Sequence, residues 1–365
     1  MPPGAVRPFV DADVAAVADL HRRVFHPSGT AVNGSWLSAY RRYFSDVFLN
    51  QALSDGRISS LVYEHDGRIR GFLGVMPRRM SFNGRPVLMA VCSQFAVDPG
   101  ERGQAGLRML KRCLAGPQDL TITDEASDAT RQLWEWCGGE RVFSHSLRWI
   151  RPLRPVQWGL SVLASHKPLA LLARAVATDA RILDGLVAKL APSAFGPVPV
   201  RGHRHELDEA TFLEGLREIA AVRSLRPCYD GESARWMFGR ADLPSAAGPV
   251  RRLVVRRDNG TIAGWFVYHT TAERIADVLQ IAARPETIAD VLDHLLDDAV
   301  KTRAIAVSGR LESYLMPALA TRRALFCRGN YWTLLHSANP QVRHAVQAGD
   351  AFLTRLEGEW CLRFQ

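Results

Sequence analysis

An apolar run from Met89 to Val97 passes into Asp98, Pro99, Gly100 and Glu101. It continues through Arg102, Gly103, Gln104, Ala105, Gly106 and Leu107 into an amphipathic stretch that reaches Leu114. A strand, a glycine-containing turn and a helix in this order build an anion-holding loop. Backbone N–H groups of the turn converge with the unsatisfied first-turn donors of the helix, and the helix dipole favours negative charge at that point. Gly103 and Gly106 let a ligand approach the backbone, and Arg102 adds a charge-assisted contact. The chemistry this pattern serves is recognition of a phosphate.

The flanking sequence supplies the elements that must position such a loop. Residues 6–25 read as a short strand, an aspartate cap and a helix with Val14, Val17, Leu20 and Val24 on one face. Residues 58–76 form two apolar runs around His65, Asp66 and Gly67, a strong hairpin signal. Beyond the loop, 120–123 read as a strand and 126–137 as a helix ending at Gly138 and Gly139. The stretch 142–149 reads as a closing strand.

The run 97–107 resembles the coenzyme A pyrophosphate loop of the Gcn5-related N-acetyltransferase (GNAT) superfamily, and the element order over residues 5–150 is similar to that fold. The resemblance implies an α/β (α+β) architecture with a mixed, mostly antiparallel central sheet flanked by helices. It also implies acyl transfer from acetyl-CoA or another acyl-CoA to an amine. The thioester would lie beside the splayed strand at Gln94, Phe95, Ala96 and Val97, and residues Arg102 to Leu107 would take the pyrophosphate. Such a transfer needs a base for the ammonium and an acid for the thiolate. Asp124 and Glu125, at the C-terminal end of a strand where open sheets place ligands, are base candidates, as are Glu64 and His145. The same Asp124 and Glu125 also suit a helix N-terminus. Trp134 stands where family members carry the tyrosine acid, so the thiolate would leave unassisted or through water, or the domain would bind without turnover.

A second, weaker copy follows. Residues 67–71 are echoed by 260–268 and 94–99 by 280–285, in the same order, which indicates a tandem repeat. In the second copy Pro285, Glu286 and Thr287 lead straight into a helix at 288–300 without a glycine-rich turn, so a pyrophosphate has nothing to wrap it. Glu312 and Tyr314 could reach a shared cleft, and they equally suit a helix start. The expected organisation is therefore a GNAT-like acyl-CoA-binding domain at 1–152, a helical, proline-rich connector at 153–200 and a degenerate GNAT-like domain at 201–365. Residues 156–191 read as two or three apolar helices broken near Pro168 and Asp179. They are either packing for the domains or an interfacial helix in peripheral contact with a membrane or an acyl chain.

Composition bounds the remaining classes. The 365 residues suffice for two domains, and a hydrophobic fraction of 47% is ordinary for a globular chain. No secretion signal or membrane span is legible, which predicts a cytoplasmic protein. Six scattered cysteines form no zinc pattern, and His203 with His205 in a proline- and glycine-rich connection reads as a solvated loop, so no metal is expected. The formal charge of +9 comes from dispersed arginines rather than a nucleic-acid motif, so no nucleic acid is expected as a partner. The acceptor implied by the family is a small-molecule amine, such as an amino sugar or an amino-acid derivative. The alternative is a catalytically silent acyl-CoA sensor or scaffold. Arg102→Glu is expected to weaken acetyl-CoA binding by about 1–3 kcal/mol, read by calorimetric titration, through lost charge-assisted bonding and added repulsion. Unchanged affinity would mean that the phosphate loop has been misplaced.

Overall fold

A computed structural model describes residues 4–25, 34–50, 56–164, 179–243 and 248–364. In chain order the strands are β1 (Ala5–Pro8), β2 (Leu61–His65), β3 (Arg68–Phe82), β4 (Arg85–Val97), β5 (Leu120–Ala126), β6 (Glu140–Arg141), β7 (Leu147–Pro152) and β8 (His203–Glu206). They continue with β9 (Leu225–Pro227), β10 (Val250–Arg256), β11 (Ile262–Thr270), β12 (Ile275–Ala283), β13 (Ala306–Arg310), β14 (Leu325–Arg328) and β15 (Trp332–His336). The chain divides into two compact units, and neither is a contiguous half. The first comprises Met1–Ser146, Arg223–Ser233 and Asn330–Phe364, and the second Leu147–Val222 and Ala234–Gly329.

The first unit is built on a sheet ordered β1-β2-β3-β4-β5-β15-β6, with β9 paired to β3. All its pairings are antiparallel except β4 with β5. Asp66 and Gly67 take positive φ values of 50° and 69° between β2 and β3, as a two-residue hairpin turn of matching twist demands. Helix α1 (Val14–Phe25) buries Val14, Val17, Ala18, Leu20 and His21, α2 is Gly34–Phe48, and α3 is Arg102–Leu114. Ala105, Met109, Leu110 and Cys113 of α3, at helical spacing, pack with Tyr63, Leu73, Trp134 and Leu334 in one apolar cluster. Helix α4 (Asp128–Trp136) is capped by Ser127, whose hydroxyl accepts from the Thr130 N–H at 3.2 Å. Asp124 and Glu125 are thus residues of β5 itself and not the cap of this helix.

The second unit has a sheet ordered β14-β7-β13-β12-β11-β10-β8, again mostly antiparallel, with β12 and β13 parallel. The helix Ile288–Lys301 lays Val291, Leu292, Leu295, Leu296 and Ala299 into its core beside Phe266 and Tyr268. The connector helices belong to this unit, as Pro155–Ala164 and Ala180–Leu190. The break near Pro168 lies outside the described residues. His203 and His205 stand on the short strand β8, paired with β10, rather than in a loop.

The closing strand expected at 142–149 begins only at Leu147, because Ser144–Ser146 form a 3-10 turn. It joins the second sheet between β13 and β14, where Trp149 is buried and its indole N–H donates to the Arg310 carbonyl at 3.1 Å. In return β15, from the C-terminal part of the sequence, enters the first sheet between β5 and β6. Each sheet is closed by a strand from the other half of the sequence. Leu334→Ala, in β15, is therefore expected to remove a fully buried side chain from the first unit's core and to lower stability by about 2–5 kcal/mol, read from the urea midpoint. A neutral result would remove β15 from that core.

Candidate functional site

Beta strands 4 and 5 run parallel, and their pairing covers only Met89–Val91 against Leu120–Ile122. Past that register both strands bulge. On β4, Gln94 and Phe95 together stand opposite Leu73 alone, since Phe72 pairs with Ala96 and Gly74 with Ser93. On β5, Asp124 and Glu125 stand opposite Thr333 alone, since Leu334 pairs with Thr123 and Trp332 with Ala126. The parallel register puts the two bulges at one level. Bulges of this kind bend a strand and re-aim its side chains. The sheet splays at this level.

Gln94 takes the left-handed region, with φ 53°, where a non-glycine residue persists only if its surroundings hold it. Its Oε1 accepts from Nε2 of His21 on α1, and Nδ1 of His21 accepts from the Tyr40 hydroxyl on α2 at 2.7 Å. His21 is buried, and burial pushes the Tyr40 phenol up, so the hydroxyl keeps its proton in the chain Tyr40–His21–Gln94. It fixes the bulge that presents the β4 backbone.

The 3-10 turn Glu359–Leu362 packs against both β4 and β5. Oε1 of Glu359 accepts from the backbone N–H groups of Asp124 and Glu125, each at 3.0 Å, and from the Thr123 hydroxyl. Asp124 Oδ1 accepts from the Glu359 N–H at 2.8 Å. Glu125 is held from both oxygens by the Arg363 guanidinium, with Nε at 2.8 Å. A Cβ on Gly358 would lie 2.1 Å from the Asp124 carboxylate, so only glycine admits this approach. Burial first, and then the charges of Asp124 and Glu125, push Glu359 up to about 8. Burial also raises Glu125, against the pull of Arg363. Glu125, with 18% of its side chain exposed, is the more accessible of the two β5 carboxylates, Asp124 being buried.

Following β4, α3 begins at Arg102, and its N-cap residue Glu101 makes no side-chain cap. The helix start is therefore open to an anion. Gly103 and Gln104 are exposed, a Cβ on Gly103 would meet nothing within 4 Å, and Ala105 and Gly106 turn inward, with Leu107 half-buried. The two acids beside the turn are each paired. Asp98 pairs with Arg23 at 3.3 Å and Arg70 at 3.2 Å, and Glu101 with His65 at 2.7 Å. The bulged strand, the open helix start and the paired acids fit a coenzyme A thioester with its pyrophosphate. The side chain of Arg102 lies outside the described residues.

Within the first unit Gln94, Phe95, Ala96, Val97, the loop that follows them, Asp124 and Glu125 lie on the two strands of the splay or next to them, whereas Glu64 and His145 lie elsewhere in the same unit. Glu64 accepts from Arg7 Nε at 2.8 Å on the outer hairpin, where Arg7 also chelates Asp13. His145 is buried in the 3-10 turn, and its carbonyl accepts from the Thr333 hydroxyl at 3.2 Å. Trp134 is a core residue against Gly139 and no acid. Sequence reasoning missed His21, Tyr40, Glu359 and Arg363. His21 had a signal, since it continues the buried 14, 17, 18 face of α1, whereas Glu359 and Arg363 had none. In the second unit the matching stretch is internally satisfied. Gln280 Oε1 accepts from the Trp265 indole at 2.6 Å, and the Tyr314 hydroxyl donates to the Ile281 carbonyl at 2.6 Å.

A family model described as an acetyltransferase (GNAT) domain matches residues 5–116. No curated protein sequence matches the chain. Among solved structures, a probable N-acyltransferase from Enterococcus faecalis V583 is 12% identical, with a TM-score of 0.58 over 92% of this chain and 72% of its own. A GCN5-related N-acetyltransferase from Anabaena variabilis is 11% identical, with a TM-score of 0.59 over 92% of this chain and 73% of its own. At these identities the likeness is one of fold, and it spans both units.

The raised value of Glu359 links the site to stability. Its folded value of about 8 lies above the ordinary 4.5, so the native protein keeps a proton that the unfolded chain releases between those limits. Its contribution is full below the ordinary value and falls as pH rises through the folded one. The unfolding free energy from urea titrations should fall across that window by an amount on the order of a few kcal/mol. Glu359→Gln, which keeps the acceptor oxygen, should flatten the fall. An identical pH profile in the variant would reject the assignment.

Proposed function

We propose that the chain, a GNAT-type acyltransferase through the domain at residues 5–116, transfers the acyl group of an acyl-CoA, acetyl-CoA in the simplest case, to the amine of a small acceptor such as an amino sugar or amino-acid derivative. The observation that carries this reading is the pair of facing bulges on β4 and β5 beside an uncapped helix start. A bound acyl-CoA would supply an acyl carbon activated as a thioester. Gln94, Phe95, Ala96 and Val97 would align it along the splayed strand, and the first-turn N–H groups from Arg102 to Leu107 would hold the pyrophosphate. Glu125 is the base we assign. It would take the proton of the acceptor ammonium so that the amine nitrogen can form the new C–N bond as the C–S bond breaks. Asp124 and Arg363 position it, through the Glu359 turn and the bidentate pair. A cytoplasmic setting fits this chemistry, and no helix among the described residues is long and apolar enough to cross a membrane.

A second reading, acyl-CoA binding without turnover, is favoured by one observation, the buried Trp134 at the acid position. Thiol release from acetyl-CoA with a panel of amines separates the two. Turnover with saturable acetyl-CoA binding supports transfer, binding with no turnover on any amine supports the sensor, and absence of binding removes both. For transfer, Glu125→Gln should lower kcat/KM by about 10²–10⁴-fold while acetyl-CoA affinity stays unchanged. A variant that retains full activity would exclude Glu125 as the base.

A further inference from the structure

Far along the chain from the transfer chemistry, the second unit carries a helix that is inside out. In the helix Ala180–Leu190 the buried residues are Ala180 and the charged Asp184, whereas Ile182 is 67% exposed, Leu186 50% and Leu190 85%. The orientation is locked. Asp184 caps the neighbouring helix Pro155–Ala164, its carboxylate accepting from the Val156 N–H at 2.8 Å, the Gln157 N–H at 3.2 Å and the Gln157 side-chain amide at 2.8 Å. Turning the leucines inward would break all three bonds and bury no comparable cap. The capped helix carries no charged residue and has no buried residue, and Leu163 near its end is 43% exposed. Two adjacent helices therefore present aliphatic side chains to the outside, which a soluble surface seldom does without a partner.

Around these helices four cations, Arg154, Arg181, Lys189 and Arg274, stand with two exposed carboxylates, Asp179 and Glu273, beside the buried Asp184. Arg181 and Lys189 flank the aliphatic stripe, Arg154 precedes the first helix, and no carboxylate among the described residues pairs with any of the three. A groove of about 390 Å3 at the foot of the pair is lined by Leu160, Arg181 and Arg274, with Glu273 as its one acidic residue. Burial, and then the nearby charges of Arg154 and Arg181, hold the Arg274 guanidinium below its usual value, against the pull of Asp184. We propose that the helix pair Pro155–Ala164 and Ala180–Leu190 docks on an anionic lipid bilayer, its aliphatic stripe in the acyl boundary and Arg154, Arg181 and Lys189 against the headgroup phosphates. Charge complementarity chooses this occupant. A two-fold pairing of two copies through the same face would set these cations against their own kind, whereas an anionic surface neutralises them. Neither helix is long enough to span, so the contact is peripheral. This inference is independent of the acyl-transfer reading.

Sedimentation of the full chain with vesicles tests it. The chain should pellet with phosphatidylglycerol-containing vesicles at low salt, stay in the supernatant with pure phosphatidylcholine vesicles, and be released from the first by salt. Leu186→Asp, at an exposed position, should keep the wild-type thermal midpoint and bind anionic vesicles at least about tenfold more weakly. The double variant Arg181→Glu with Lys189→Glu should lose the preference for anionic over neutral vesicles. A chain that never pellets with anionic vesicles overturns the proposal, as does undiminished binding by Leu186→Asp. So does a solution dimer that Leu186→Asp splits, which would assign the face to a second copy.

Discussion

The carboxyl group of Glu359 holds the splay of the first sheet, on which the proposed transfer depends. Two parallel strands that stop pairing leave backbone N–H groups in a buried place, and such donors cost about 1–3 kcal/mol each when unsatisfied. Here the donors of Asp124 and Glu125 are taken by one oxygen of Glu359, which returns its own N–H to Asp124. The splay is thus a satisfied structure and not a defect in the sheet. The arrangement concentrates three carboxyl groups, and Coulomb repulsion at close range is relieved by a proton on Glu359 and by the guanidinium of Arg363 on Glu125. One interaction therefore sets the backbone geometry, the charge state and the presentation of the accessible carboxylate.

What the sequence disclosed and what it withheld divide along contact range. The hairpin at Asp66 and Gly67 is written in two adjacent residues whose left-handed conformation few others accept. The loop from Val97 to Leu107 and the amphipathic face of α3 are equally local. The bulge at Asp124 and Glu125 is different. It exists only by reference to Thr333, a residue of a strand from the other end of the chain, so these two residues read equally well as the cap of the following helix. Alternation at 142–149 announced a strand but could not say which sheet would take it, since a strand's own pattern does not name its partner. Glu359 and Arg363 are ordinary residues in an unpatterned C-terminal stretch, and nothing short of the folded contact marks them.

Exchange of closing strands has an energetic consequence for both sheets. Leu334 and Leu335 of β15 are fully buried in the first unit and Trp149 of β7 in the second, so neither half of the sequence can complete its sheet from its own strands. A sheet left open there would expose a pairing edge along β5 or β13. Folding of the two units is coupled through the chain itself.

The second sheet differs from the first in how its polar groups are satisfied. Both sheets have a parallel pair beside a bulged strand, and both place a glutamine at or next to that bulge. In the second unit Gln280 is bonded to the Trp265 indole, the Ile281 carbonyl is bonded to the Tyr314 hydroxyl, and no glycine-rich turn precedes the helix Ile288–Lys301. A polar group already paired in a close-packed core gains little from a ligand and loses its partner on binding one. In the first unit the corresponding glutamine is spent on holding a left-handed backbone, and the helix that follows starts without a side-chain cap. In one copy of this architecture the polar groups are satisfied internally, whereas in the other the helix after the bulged strand starts without a side-chain cap.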